Sequence, residues 1–137
     1  MNPTKRELIL LVEDDPDDEL MALRSFRKSQ VDAEVVVVRD GAEALDYLFG
    51  TGTHAGRDVS IMPTRIMLDL SLPKVSGLEV LQRIKGDDRT KSIPVVMLTG
   101  SDYPMIATET LRQGAEACFM KPVTCDGVRQ IAANPGM

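Results

Sequence analysis

Leu8-Ile9-Leu10-Leu11-Val12-Glu13-Asp14-Asp15-Pro16 is an unbroken apolar run that stops on three carboxylates and a proline. A continuous run, rather than an alternating one, is the pattern of a strand buried on both faces, so it predicts an inner strand of a parallel sheet. Asp15-Pro16 then reads as a helix start, with Asp15 as N-cap and Pro16 in the first turn. The pattern recurs downstream. Ile66–Leu68 runs into Asp69, Val95–Leu98 into Thr99 and Ala117–Met120 into Lys121. Only Glu34–Val38, with its four consecutive valines, ends without obvious chemistry.

Helix-like segments alternate with these runs. The first, to about Ser29, places Leu20, Leu23 and Phe26 toward the core and Arg24, Arg27 and Lys28 toward water. Gly41–Phe49 follows with Ala44, Leu45 and Leu48 as its apolar side, then Leu78–Lys85 and Asp102–Gln113, the latter ended by Gly114. Asp126–Ala133 forms a short last helix, because Asn134-Pro135-Gly136 stops it. Residues 50–64 are rich in glycine and proline and predict a long surface loop, either functional or a tolerated insertion.

Five β/α units predict an α/β fold, a flavodoxin-like doubly wound (βα)5 sandwich with parallel strand order 2-1-3-4-5. In that order strands one and three are neighbours at the switch point, and ligands bind beyond the carboxyl ends of the strands there. Glu13, Asp14 and Asp69 would line this edge, with Thr99 and Lys121 approaching from strands four and five. Two carboxylates about 4 Å apart repel by roughly 4 kcal/mol at an effective dielectric near 20. One lysine cannot offset three of them, so the cluster calls for a divalent cation.

With 137 residues and 43% apolar content, the chain suits one domain, residues 6–133, with short tails at 1–5 and 134–137. A net charge of −5 and a pI near 4.9 argue against non-specific nucleic-acid or anionic-membrane binding. No stretch approaches the roughly 20 apolar residues of a membrane span, and residues 1–6 show no cleavage-site pattern, so a cytoplasmic protein is expected. Cys118 and Cys125 read as free thiols in a reducing compartment. His54, the sole histidine, reads as a solvated loop residue, which leaves no basis for a histidine-based triad or zinc site.

Leu11-Val12-Glu13-Asp14-Asp15-Pro16, Leu68-Asp69-Leu70-Ser71-Leu72-Pro73 with Gly77, Leu98-Thr99-Gly100 and Lys121-Pro122 together resemble the response-regulator receiver domain of two-component signalling. The resemblance spans nearly the whole chain. It implies that Asp69 accepts a phosphoryl group from the phosphohistidine of a sensor histidine kinase. It also implies that Glu13, Asp14, Asp69 and the backbone carbonyl of Ser71 hold Mg²⁺, with Mn²⁺ as a substitute. Thr99 matches the hydroxyl that bonds the phosphoryl group after transfer, and Lys121 the ammonium that neutralises its charge. Ser71 and Ser101 match positions that tune the lifetime of the phosphoryl group, and Lys121-Pro122 resembles a step whose peptide is usually cis.

Cys118 departs from the family, which usually carries Tyr or Phe three residues before the lysine, so the aromatic readout of the switch is altered here. No output domain is expected after the fifth strand, and signalling is expected to pass through protein contacts of the receiver itself. The second helix and its loop are similar to those of single-domain regulators that partner phytochrome-type histidine kinases. A homodimer, or a kinase contact, is expected through helix four, strand five and helix five, because a short last helix would leave Val123, Val128 and Ile131 poorly covered. Two readings from other classes stand beside this one. A small Mg²⁺-dependent phosphohydrolase would need a second acid-base residue near Asp69 and a substrate cap; an unphosphorylated interaction module would not need the full set of five polar residues.

Overall fold

The three inner strand runs are satisfied by burial from both sides, while the two edge strands are only partly covered. The computed structural model describes residues 7–72, 75–100 and 104–133. Pro73, Ser101, the start of the helix expected at Asp102, and the tails lie outside the described residues. The elements run β1 Glu7–Val12, α1 Pro16–Ser29, β2 Ala33–Val38, α2 Gly41–Phe49, β3 Arg65–Asp69, α3 Gly77–Lys85, β4 Val95–Thr99, α4 Pro104–Arg112, β5 Ala117–Met120 and α5 Cys125–Ala133. The five strands are parallel in the order β2-β1-β3-β4-β5. The fold is the flavodoxin-like doubly wound sandwich that the sequence predicts.

Alternate residues of each inner strand feed opposite layers. Leu10 and Val12, Ile66 and Leu68, and Val95 and Met97 pack with Ala44, Leu45 and Leu48 of α2 and Val80, Leu81 and Ile84 of α3. Ile9 and Leu11, Met67, and Val96 and Leu98 pack with Ala22 and Phe26 of α1 and Val128 and Ile131 of α5. Removing such side chains from water contributes about 1.5–3 kcal/mol each.

Two expectations about the α1 and α5 layer are corrected. Leu20 is 47% exposed, and the stripe of α1 that faces the sheet is instead Ala22, Phe26 and Ser29. Val123, Val128 and Ile131 are fully covered despite the short α5, at 5%, 0% and 3% exposure. Ser25 of α1 donates from its hydroxyl to the Val123 carbonyl at 2.7 Å, and Arg129 reaches the Ser29 carbonyl at 3.4 Å. These bonds lock α1 against the segment that follows β5.

The loop between α2 and β3 is tied down. Gly52–His54 forms a 3-10 turn, and the Arg57 guanidinium lies 4.1 Å over the Tyr47 ring. Arg57 also donates to the carbonyls of Tyr47 at 2.6 Å and Ile61 at 2.7 Å. His54 is therefore not merely solvated: it is half-buried, lies edge-on to Tyr47, and its Nε2 is 3.1 Å from Glu43 Oε2.

Candidate functional site

Register brings the predicted residues to one edge. Val12 is level with Leu68, and Asp69 with Leu98, so Glu13 and Asp69 emerge side by side from β1 and β3. Thr99 is level with Met120, which places Lys121 one step beyond it. The Lys121 N–H donates to the Thr99 carbonyl at 2.7 Å, and the Lys121-Pro122 peptide is cis. Thr99 itself is buried at the end of β4.

Local devices hold each side chain. Asp15 caps α1 by accepting from the N–H groups of Asp17 and Asp18 at 2.8 and 3.4 Å, as the sequence predicts. Glu13 Oε1 accepts from the Asp15 N–H at 3.1 Å, and Asp69 Oδ1 from the Ser71 N–H at 3.1 Å. Gly77 opens α3 directly beneath this turn, where its N–H donates to the Leu70 carbonyl at 3.1 Å. A methyl group at Gly77 would strike the Asp69 carbonyl and the Leu70 backbone, so the approach requires glycine.

Lys121 Nζ donates to Asp69 Oδ2 at 3.0 Å, to Asp18 Oδ2 at 2.9 Å and to Glu13 Oε2 at 3.4 Å. Glu13 and Asp69 are buried, whereas Asp14 is exposed at the rim. Glu13, Asp14 and Asp69 each offer a carboxylate oxygen, and these atoms all lie within 4.8 Å of one another. Burial pushes the Glu13 carboxyl up to about 7; the Asp15 N–H and the Lys121 charge oppose the shift, and the Asp69 carboxylate adds to it. Burial draws the Lys121 ammonium down, but its bonds to Asp18 and Asp69, with the charges of Asp69 and Glu13, hold it above its ordinary range. The pocket thus carries more negative charge than one ammonium offsets. Three hard carboxylate donors at this spacing suit a divalent cation of the Mg²⁺ or Mn²⁺ kind.

Of the remaining site residues read from sequence, Ser71 is exposed beside Asp69, and Ser101 lies outside the described residues. Cys118 is half-buried, level with Met97, and packs on the α2 and α3 face, while Phe119 packs on the α1 and α5 face. Asp18 is the contact that sequence reading missed. Its signal was available: three residues after an N-cap aspartate, it lies in the first turn of a helix that starts at the acidic edge.

Residues 9–133 match the response regulator receiver domain family, and the chain belongs to that family. Its relatives are response regulators, among them bacteriophytochrome response regulators. The structure of the bacteriophytochrome response regulator AtBRR is 44% identical, with a TM-score of 0.84 over 93% of this chain and 91% of that one. Response regulator Rcp1 of Synechocystis sp. (strain ATCC 27184 / PCC 6803 / Kazusa) is 42% identical over 100 residues, which make up 73% of this chain and 65% of Rcp1. The crystal structure of the Mn²⁺-bound form of Rcp1 superposes with a TM-score of 0.75, at 31% identity over 91% of this chain and 88% of that one. No described helix is long and apolar enough to cross a membrane.

Proposed function

We propose that residues 6–133 act as a single-domain cytoplasmic response regulator that accepts a phosphoryl group onto Asp69 from the phosphohistidine of a sensor histidine kinase. One observation carries this reading. The buried Asp69 carboxylate is fixed by the Ser71 N–H on one oxygen and by Lys121 on the other, beside two further carboxylates.

In the transfer, an Asp69 oxygen attacks phosphorus, the P–N bond breaks, and its electron pair returns to the imidazole, which takes up a proton. Bonds from Ser71 and Lys121 hold the nucleophile in one orientation, so little rotational freedom is left to lose in the transition state. Lys121 then neutralises the negative charge that arrives on the phosphoryl oxygens. Thr99 supplies a hydroxyl at the end of the neighbouring strand for one of those oxygens. Glu13, Asp14, Asp69 and the Ser71 carbonyl would hold Mg²⁺, whose charge offsets that of the pocket and of the phosphoryl group. Ser71 and Ser101, both small, leave room for water and so set the lifetime of the aspartyl phosphate.

The similarity to bacteriophytochrome response regulators supports a phytochrome-type histidine kinase as partner. The proposed homodimer surface is α4, β5 and α5. It is supported now by the exposure of Met105, Leu111 and Met120, and no longer by Val123, Val128 and Ile131. The acidic balance of the chain supports a protein output without direct nucleic-acid contact.

Incubation with a small acyl phosphate and Mg²⁺ tests the reading. One hydroxylamine-sensitive phosphoryl group per chain, absent in Asp69→Asn, is the expected result. Full labelling of Asp69→Asn, or continuous turnover of donor without a labelled protein, would overturn it.

A further inference from the structure

The Lys121 ammonium has three protons and meets three carboxylates, and two of these belong to the pocket in which the chemistry takes place. The third, Asp18, does not. It comes from α1 rather than from a strand end, and its side chain is 29% exposed where those of Glu13 and Asp69 are each 2%. It also makes the shortest of the three bonds, at 2.9 Å.

We infer that Asp18 is a positioning residue for Lys121: its carboxylate anchors one N–H of the ammonium from outside the pocket and so aims the other two inward. The inference rests on the proposed role of Asp69 and deepens it. Lysine carries its charge on a flexible four-carbon stem and cannot orient itself as a planar arginine fork would. The first turn of α1 is a suitable fixed point. Asp15 caps it, and the helix is bonded to the Lys121–Val123 segment through Ser25 and the Val123 carbonyl at 2.7 Å. Asp18 and Lys121 therefore keep their spacing while the pocket contents change.

During transfer the other two partners are altered. Asp69 becomes an acyl phosphate, a mixed anhydride, and Glu13 would also serve to hold the divalent cation. Asp18 alone is left as it was. Without it, the ammonium would settle wholly on Glu13 and Asp69, losing its direction afterward. Asp18 thus holds Lys121 where the phosphoryl charge arrives.

A double-mutant cycle reads this directly, with the full chain and a small acyl phosphate as donor. Asp18→Ala should slow phosphoryl acceptance about tenfold with Lys121 present, and Asp18→Asn, which keeps an acceptor oxygen, should recover most of that loss. In a Lys121→Met background, Asp18→Ala should change the rate by less than about twofold, because its only route to the reaction is gone. Independently of phosphorylation, NMR relaxation of the Lys121 side-chain ε-methylene should show loss of order in Asp18→Ala. A wild-type rate and ordered Lys121 in Asp18→Ala would overturn the inference, as would an equal slowing in both backgrounds. If the wild-type chain takes no phosphoryl group, the reading of Asp69 fails, and the order of the Lys121 side chain alone decides the role of Asp18.

Discussion

Lys121 Nζ stands 3.0 Å from Asp69 Oδ2, joining residues 52 apart in sequence across the open edge of the sheet. The pair is incomplete as a charge balance, since Glu13, Asp14 and Asp18 share the same edge. Several measurable properties derive from that excess.

Asp69→Asn removes one negative charge but keeps an oxygen for Lys121. In the absence of divalent cations it should raise stability by about 1 kcal/mol, seen as a rise of a few degrees in Tm, while abolishing phosphoryl acceptance. A lower Tm than wild type in chelator would contradict it.

Asp14→Ala removes the exposed carboxylate at the rim of the pocket. Mg²⁺ affinity should fall about tenfold or more, and phosphoryl acceptance with it, whereas Glu13→Ala should be milder because water can stand in for an outer ligand. Calorimetric titration of Mg²⁺ into both variants checks the order.

The Glu13 carboxyl has its pKa raised to about 7 from an ordinary 4.5, so the folded chain holds that proton more tightly than the unfolded one. Its contribution to stability is full below about 4.5 and is lost as pH rises through about 7, by up to roughly 3 kcal/mol in metal-free protein. Glu13→Gln should flatten the dependence. A cation competes with the same proton, so Mg²⁺ binding should weaken as pH falls below about 7. Denaturant midpoints and Mg²⁺ titrations at a series of pH values test both signs.

At the opposite end of β3, Arg65 is buried and bonds Glu7 Oε1 at 3.3 Å and Glu116 Oε1 at 3.0 Å. Arg65→Ala should destabilise the fold by about 2–4 kcal/mol, since it strands two partly buried carboxylates. Urea unfolding should record that loss, with acceptance at Asp69 unchanged at temperatures where the variant is folded.

Cys118 is too small to swing between two positions, unlike the aromatic side chain usual in the receiver family. Cys118→Tyr should change partner affinity while leaving the rate of acceptance at Asp69 within about twofold of wild type. Backbone amide shifts with an unreactive phosphoryl mimic give the complementary check: they should be small at Cys118 and Phe119 in the unmodified chain.

The sheet was legible in the chain because strands buried on both faces must be apolar at every position, and Leu8–Val12, Ile66–Leu68 and Val95–Leu98 are. Strand order and the convergence of Glu13, Asp14, Asp69, Thr99 and Lys121 came with that pattern, since parallel strands all end on one edge. Periodicity could not set the rotation of α1: Leu20 and Leu23 share a helical stripe with Phe26, yet docking against Val123 and α5 turned Ala22, Phe26 and Ser29 inward and left Leu20 in water. The same rotation brought Asp18 to Lys121, and strand register brought Arg65 between Glu7 and Glu116. Local sequence determines which residues prefer burial and where elements end. Contacts between charges 58, 51 or 103 residues apart depend on how the finished layers pack, and only the tertiary structure decides them.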